Sequence, residues 1–256
     1  MELSKITGIV LTFNEEANID VCLRGLGRLR RVLVVDSYST DQTIEMAKKY
    51  KNVEIVQRHF DDFASQYNFA MTQVESPWIL SIDADYRLEG LFWKELEGLA
   101  ESEDLVGISC RFKFAIYSHL IRGAIYPPRI VIHRSKHCRY YMVAHTQRLH
   151  VDGRVENMRG YLIHDDHKSL DRWALNQIRY SRENAEHALT SRNRRLQDKL
   201  RTWMLAPVIV LPYFLLWRGM ILDGLPGLFY AFQRLFSECL TCLFVLRDRI
   251  RLKDTA

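Results

Sequence analysis

The stretch WILSIDADYRL, residues 78–88, decides the reading of this chain. Trp78 to Ile82 is a bulky apolar run with the length of a buried strand, and it ends in Asp83-Ala84-Asp85. Side chains at i and i+2 of a strand leave the same face, so both carboxylates can converge while Ala84 turns away. Paired carboxylates at a strand end suit a hard divalent cation, which takes oxygen ligands and keeps positions open for phosphate.

Working outward, three more runs have the same character: Ile6 to Leu11, Val32 to Val35 and Val53 to Val56. Their near-continuous hydrophobicity predicts strands buried on both faces. Between them the period changes to that of helices, at Ile19, Cys22, Leu23 and Leu26, at Ile44 and Ala47, and from Phe63 through Tyr67, Ala70 and Met71 to Val74. Ser39-x-x-Gln42 reads as a capping box opening the second helix. Strands alternating with helices predict an α/β fold with a parallel sheet. Ligands gather at the carboxyl ends of such strands. The polar clusters lie there: Thr12-Phe13-Asn14-Glu15-Glu16, Asp36-Ser37-Tyr38-Ser39-Thr40-Asp41 and Asp83-Ala84-Asp85.

From Leu105 to Ile163 the pattern is choppier, with short strands expected at 106–108, 129–132 and 161–163 and turns at Pro127-Pro128 and Asp152-Gly153. From Ser169 onward the chain reads helical. The tail from Trp203 to Leu246 is apolar but interrupted by Pro207, Pro212, Arg218, Asp223, Gln233, Arg234 and Glu238. Neither apolar run reaches the roughly 20 residues of an ordinary spanning helix. Basic flanks at 191–201 and 247–253 predict an in-plane or re-entrant anchor at a membrane surface, with a buried hairpin or dimer interface as the alternative.

Of the 256 residues 48% are hydrophobic and 26% charged, enough for a sizeable core. A net charge of +5 does not point to nucleic acid as a partner. Five cysteines without framework spacing predict reduced thiols, with Cys239 and Cys242 as two packed thiols on a helix. The first residues lack a charged-then-apolar leader, so export by that route is not expected.

The set TFNEE, VVDSYSTD and DAD, in this order and each after a buried strand, resembles the family 2 glycosyltransferases, above all bacterial enzymes of lipopolysaccharide-core and surface-polysaccharide assembly. Tyr86 stands where that branch often has Glu. The resemblance implies a GT-A fold, Rossmann-like and specialised for nucleotide-diphospho-sugars, and transfer with inversion from a nucleotide-sugar donor. It implies that Thr12, Asn14, Glu15, Asp36 and Asp41 line the nucleotide pocket, that Asp83 meets ribose or metal, and that Asp85 is the main ligand of Mn2+ or Mg2+. For Asp41 a helix-start role is an equal alternative. Gln66 and Asn68 match a pair common in this branch, although surface polarity reads better for both. Arg179, in Asn176-Gln177-Ile178-Arg179-Tyr180, matches one position of a motif of processive sugar polymerases and is a candidate diphosphate contact.

An inverting transferase needs a base for the acceptor hydroxyl. Two clusters in the second half qualify, Ala144-His145-Thr146-Gln147-Arg148 and His164-Asp165-Asp166-His167-Lys168. Related sequences carry an acid where Thr146 stands, so the base is placed at Asp165 or Asp166, with Asp166 also able to cap the helix from Ser169. His164 is a candidate third metal ligand.

The expected organisation is a catalytic domain over 1–190, with a donor half at 1–100 and an acceptor half at 101–190, followed by a membrane-association region at 191–256. The expected activity moves a sugar, in the first instance from a UDP-sugar, to a lipid-linked or lipopolysaccharide-type glycan. Its expected place is the cytoplasmic face of the inner membrane, peripheral or monotopic. A polyprenyl-phosphate sugar transferase and a non-catalytic nucleotide-sugar-binding scaffold remain open as alternatives. A sugar nucleotidyltransferase is disfavoured because TFNEEANID lacks the glycines of a phosphate loop.

Overall fold

The computed structural model describes residues 1–124, 126–136, 138–143, 146–191 and 194–254. The chain forms two compact units, Met1–Ala115 with Ile125–His167, and Ile116–Ala124 with Lys168–Ala256.

The first unit contains β1 (Ile6–Thr12), α1 (Ile19–Gly25), β2 (Arg31–Asp36), α2 (Thr43–Ala47), β3 (Val53–Gln57), α3 (Phe63–Thr72) and β4 (Trp78–Asp83). The short β5 (Tyr86–Arg87), α4 (Gly90–Gly98) and the long β6 (Leu105–Ile116) follow. Within the second unit lies β7 (His119–Ile121); back in the first are β8 (Arg129–Arg134), β9 (Cys138–Val143), β10 (Thr146–Val151) and β11 (Arg154–His164). The main sheet runs β3-β2-β1-β4-β8-β6-β11-β5, and β9 and β10 form a separate antiparallel pair. The parallel quartet β3-β2-β1-β4 is the part that the apolar runs foretell. Strands β1, β2 and β4 are buried almost throughout because helices cover both faces. Ile6, Val10, Val32, Val34, Trp78, Leu80 and Ile82 share one core cluster with α1 and α4; Ile9, Leu33, Val35 and Ile79 share another with α3.

Register puts the polar clusters side by side. Thr12 lies beside Asp36, and Leu11 beside Asp83, so three strands end at one rim. The short strands expected at 106–108 and 161–163 are parts of the longer β6 and β11, while the pairs β9 and β10 went unforeseen. Gly153, between β10 and β11, has φ of 142°, which suits glycine at that turn.

The second unit is helical, with α5 (Leu170–Thr190), α6 (Leu196–Thr202), α7 (Ala206–Pro212), a π turn at Tyr213–Trp217, a 3-10 turn at Met220–Asp223 and α8 (Gly224–Asp254). Ser169 caps α5 by accepting from Arg172 N at 3.3 Å, the role for which Asp166 was the sequence candidate. Arg201 forks onto Glu238 at 2.8 and 2.7 Å in the buried contact between α6 and α8, which satisfies a charge pair inside apolar helices. Cys239 and Cys242 are free thiols on α8. Pro207 falls in the first turn of α7, where its missing N–H costs nothing, and Pro212 closes that helix. The stretch Met220–Arg251, with mean hydropathy 1.3, is long and apolar enough to cross a membrane by length and composition. Trp203, Val208, Leu216, Trp217, Leu222 and Leu225 are largely exposed, Trp217 at 83%.

Candidate active site

The two loops after β1 and β2 are knitted to each other. Asp36 is fully buried, and its carboxylate accepts from Thr12 Oγ1 at 3.1 Å, Ser39 N at 2.8 Å, Gln57 Nε2 at 3.2 Å and the Ser39 hydroxyl. Asp36 is expected to line the nucleotide pocket; its oxygens are bonded within the surrounding loops and set their shape, with Thr12 as one of the donors. Because Ser39 is held by Asp36, the expected capping box with Gln42 does not form; Gln42 occupies the N-cap position of α2 without a side-chain bond.

Asn14 has φ of 55° and Tyr38 φ of 61°. Asn tolerates that region and Tyr does not, so the surrounding bonds must hold it there. Asn14 N donates to Ser39 Oγ at 2.8 Å, and Asn14 Oδ1 accepts from Thr40 N at 2.7 Å. Asp41 accepts from Thr43 N at 3.0 Å and from Glu16 N at 3.1 Å, so it braces the start of α2 as well as the first loop. Glu15 N donates to Thr43 Oγ1 at 2.7 Å. Tyr38, 43% exposed, stacks on His59 at 4.2 Å and offers a flat surface at the rim that the sequence reading did not single out.

Gln66 is not a surface residue and Asn68 is half-buried, and both side chains are bonded within the protein. Gln66 is buried and links Ser37, at 3.0 Å, to Arg58. Asn68 gives and takes 2.9 Å bonds with the backbone of Tyr140, and thereby docks β9 on α3.

At the end of β4, Asp83 Oδ1 accepts from Tyr67 OH at 2.9 Å. Two residues on, Asp85 Oδ2 lies 3.4 Å from His164 Nε2, and His164 Nδ1 is buried without a hydrogen-bond partner. The backbone closes this corner: Asp165 N donates to Asp85 O at 2.9 Å, and His164 pairs with Tyr86 across β11 and β5. His164 stacks on Phe114 at 4.3 Å.

The two acids after His164 part company. The Asp165 side chain is wholly buried between Arg87, at 2.6 Å, and His167 Nε2, at 3.0 Å. Asp166 is half-buried, and its Oδ1 accepts from Asn18 Nδ2 at 2.9 Å. The same Asn18 binds Glu15 Oε2 at 2.9 Å and His167 N at 2.8 Å. It ties the loop after β1 to the loop after β11. It occupies the N-cap position of α1, but its side chain makes no cap bond.

Arg179 lies in the second unit, exposed on α5, its guanidinium 3.3 Å from Tyr180 OH. Residues 144 and 145 of the other histidine cluster lie outside the described residues.

The family model for glycosyl transferase family 2 matches residues 7–163, which include all three strand-end clusters. The chain belongs to this family. Over 254 residues, 89% of either chain, it is 30% identical to the lipopolysaccharide core biosynthesis glycosyltransferase LpsC of Rhizobium meliloti (strain 1021). An uncharacterized glycosyltransferase of Rickettsia bellii (strain RML369-C) is 33% identical over 101 residues, 39% of this chain and 34% of its own. Among solved structures, S. aureus TarS 1–349 in complex with UDP-GlcNAc aligns with 94% of this chain and 89% of its own, at 14% identity and a TM-score of 0.49. The α/β architecture is thus the GT-A fold of a family 2 glycosyltransferase.

The acids of this family 2 site add to the effect of burial on their neighbours. Burial raises the pKa values of Cys22, Tyr67 and Tyr86 well above their ordinary range, and Asp83 or Asp85 pushes each one further. Asp85 with His164 Nε2 3.4 Å away is a pair of a kind that suits a divalent cation. Among the described residues, no group of three acids, histidines or cysteines stands ready to hold the ion without further ligands. Phosphate oxygens of a donor supply the kind of ligand still needed.

Proposed function

We propose that this glycosyltransferase moves a sugar with inversion from a nucleotide-diphosphate sugar, in the first instance a UDP-sugar, to a lipid-linked or lipopolysaccharide-type glycan at the cytoplasmic face of the inner membrane. The observation that carries the reading is the placement of Asp83 and Asp85 at the end of β4, with His164 Nε2 3.4 Å from Asp85. Asp85, with Asp83 and His164 as further candidate ligands and the donor's phosphate oxygens completing the shell, would hold Mn2+ or Mg2+, which would offset the charge that develops on the departing diphosphate. Thr12, Asn14, Glu15, Asp36 and Asp41 shape the nucleotide pocket, chiefly by locking one another, and exposed Tyr38 is the surface against which a base can stack.

The base role falls to Asp166. Asp165 is enclosed by Arg87 and His167, whereas Asp166 is half-buried and oriented by Asn18. A half-buried carboxylate oriented by the Asn18 amide can accept a hydroxyl proton as the sugar carbon is attacked. Asp165 acts through position: its pairing with Arg87 fixes the loop from which Asp166 projects.

The acceptor class is supported by the relative LpsC, whose name places it in lipopolysaccharide core biosynthesis. Membrane association is supported by the exposed apolar residues from Trp203 to Leu225 and by Arg247, Arg249 and Arg251 on α8. Exposed Trp and Leu beside arginines suit the interface of an anionic bilayer. The test is turnover of a panel of nucleotide sugars, with and without Mn2+, in the presence of membrane lipid extract, on wild type and Asp85→Ala. Metal-dependent turnover of one donor that the substitution abolishes is expected. Absence of turnover and of metal-dependent donor binding would move the reading to a nucleotide-sugar-binding scaffold.

A further inference from the structure

Arg129 opens β8, on the side of β4 opposite to β1 and the nucleotide loops. Strands β4 and β8 pair antiparallel, with Trp78 beside Arg134, Ile79 beside His133 and Leu80 beside Ile132. Carried forward along both strands, that register sets Arg129 across from Asp83.

Most arginines of this unit with described contacts are held by acceptors. Arg31 pairs with Glu54, Arg58 with Asp61 and Arg87 with Asp165, and Arg134 donates to the carbonyls of Ser102 and Leu105. Arg129 differs. Its guanidinium lies 4.7 Å over the ring of Tyr126, and among the described residues it donates no hydrogen bond and forms no ion pair. It is half-buried, and although burial opposes its charge, Tyr86, Tyr126 and Asp83 keep its pKa above the ordinary value. Tyr126 is itself fixed, with its hydroxyl 2.6 Å from that of Tyr86 and its ring 4.7 Å from Phe112. The guanidinium is thus a charge on an ordered aromatic support, with its fork of donors left for something else.

We infer that Arg129 is the cation of an anion-binding subsite beside Asp83 that takes a phosphate-type oxyanion of a substrate. The planar guanidinium fork matches two oxygens of a phosphate, and a partly desolvated guanidinium gains most from such an acceptor. The oxyanion has two sources in the proposed reaction, the donor's diphosphate and an anionic group on the acceptor, and in this respect the inference rests on the proposed function. Position on the β8 side separates the subsite from the nucleotide loops, so its loss is felt by phosphate and not by nucleoside.

The test uses inorganic pyrophosphate, titrated calorimetrically into the full chain in EDTA-containing buffer, on wild type, Arg129→Gln and Arg129→Lys. The Gln variant is expected to bind at least tenfold more weakly, about 1.4 kcal/mol, and the Lys variant to fall between. Equal affinity in wild type and the Gln variant, or no binding by wild type, overturns the inference. If the Gln variant does not fold, the Lys variant decides: a several-fold loss supports the fork and an unchanged Kd overturns it. Two further arms separate the sources. Weaker UDP binding with unchanged uridine binding in Arg129→Gln assigns the donor diphosphate, and a raised acceptor KM with unchanged UDP affinity assigns the acceptor. The proposed function fails on a different readout, the absence of donor turnover.

Discussion

The Arg87 guanidinium donates to Asp165 Oδ2 at 2.6 Å, joining the residue two places beyond Asp85 to one 78 positions further along the chain. The Asp165 carboxylate has no exposed surface, and His167 meets it from the other side. This pair anchors the loop after β11 to the DADYR segment. Replacing Arg87 by Ala leaves a buried carboxylate without its arginine partner. Urea unfolding is expected to show a loss of about 3 kcal/mol, and Arg87→Lys a smaller one. A loss below about 0.5 kcal/mol in Arg87→Ala would mean that the pair does not hold the loop.

The two neighbouring acids separate in kinetics. Asp166→Asn is expected to lower kcat by about 100-fold or more with donor affinity retained, as for a general base. Asp165→Asn is expected to lower the melting temperature and to leave most of the rate. The reverse pattern in transfer assays and melts would exchange their roles.

Tyr67 aims its hydroxyl at Asp83 Oδ1 at 2.9 Å, and burial, with Asp83 adding to it, keeps that phenol protonated well beyond the ordinary range. Its stacking on Tyr140 at 4.6 Å survives in Tyr67→Phe. Donor kcat/KM should fall about three- to tenfold, corresponding to one hydrogen bond of about 1 kcal/mol, with the fold intact by circular dichroism. An unchanged kcat/KM would remove Tyr67 from the positioning of Asp83.

His133 is fully buried and pushed down to about 4 by desolvation, partly opposed by its bond to the Arg134 carbonyl. In the unfolded chain it protonates near 6.5. The folded state therefore keeps its full stability above about pH 6.5 and loses it as pH falls toward 4, by up to about 3 kcal/mol from this group. Unfolding at pH 7.5 and 5.0 measures the slope, and His133→Gln, although less stable at pH 7.5, should flatten it. A slope identical in wild type and variant would assign the acid sensitivity elsewhere.

Trp217 and Leu222 are 83% and 70% exposed. Transfer of each into a lipid interface is worth about 1.5–3 kcal/mol, so Trp217→Glu with Leu222→Glu should weaken sedimentation with anionic vesicles by more than tenfold. Equal vesicle binding by the double variant would redirect this surface to a protein partner, which gel filtration would reveal as a loss of oligomer.

What the sequence determined is the parallel quartet and its rim. Near-continuous apolar runs can be stable only as strands covered on both faces, and acids placed at their ends must fall together at the carboxyl edge. Strands β1, β2 and β4 were legible for that reason, whereas β3, at the sheet edge, is only half-buried rather than covered on both faces. The tertiary structure decided which polar side chains face a ligand and which serve the protein. Asp36 and Gln66 read as site or surface residues but are buried and bonded internally, and Asp165 and Asp166, equal in sequence, point to different partners. Asn18, which the sequence did not single out, ties two loops across nearly 150 residues of chain. Such roles depend on partners brought together only by folding. Periodicity reports the face a residue occupies, and a buried polar group is defined by the distant donor or acceptor that satisfies it.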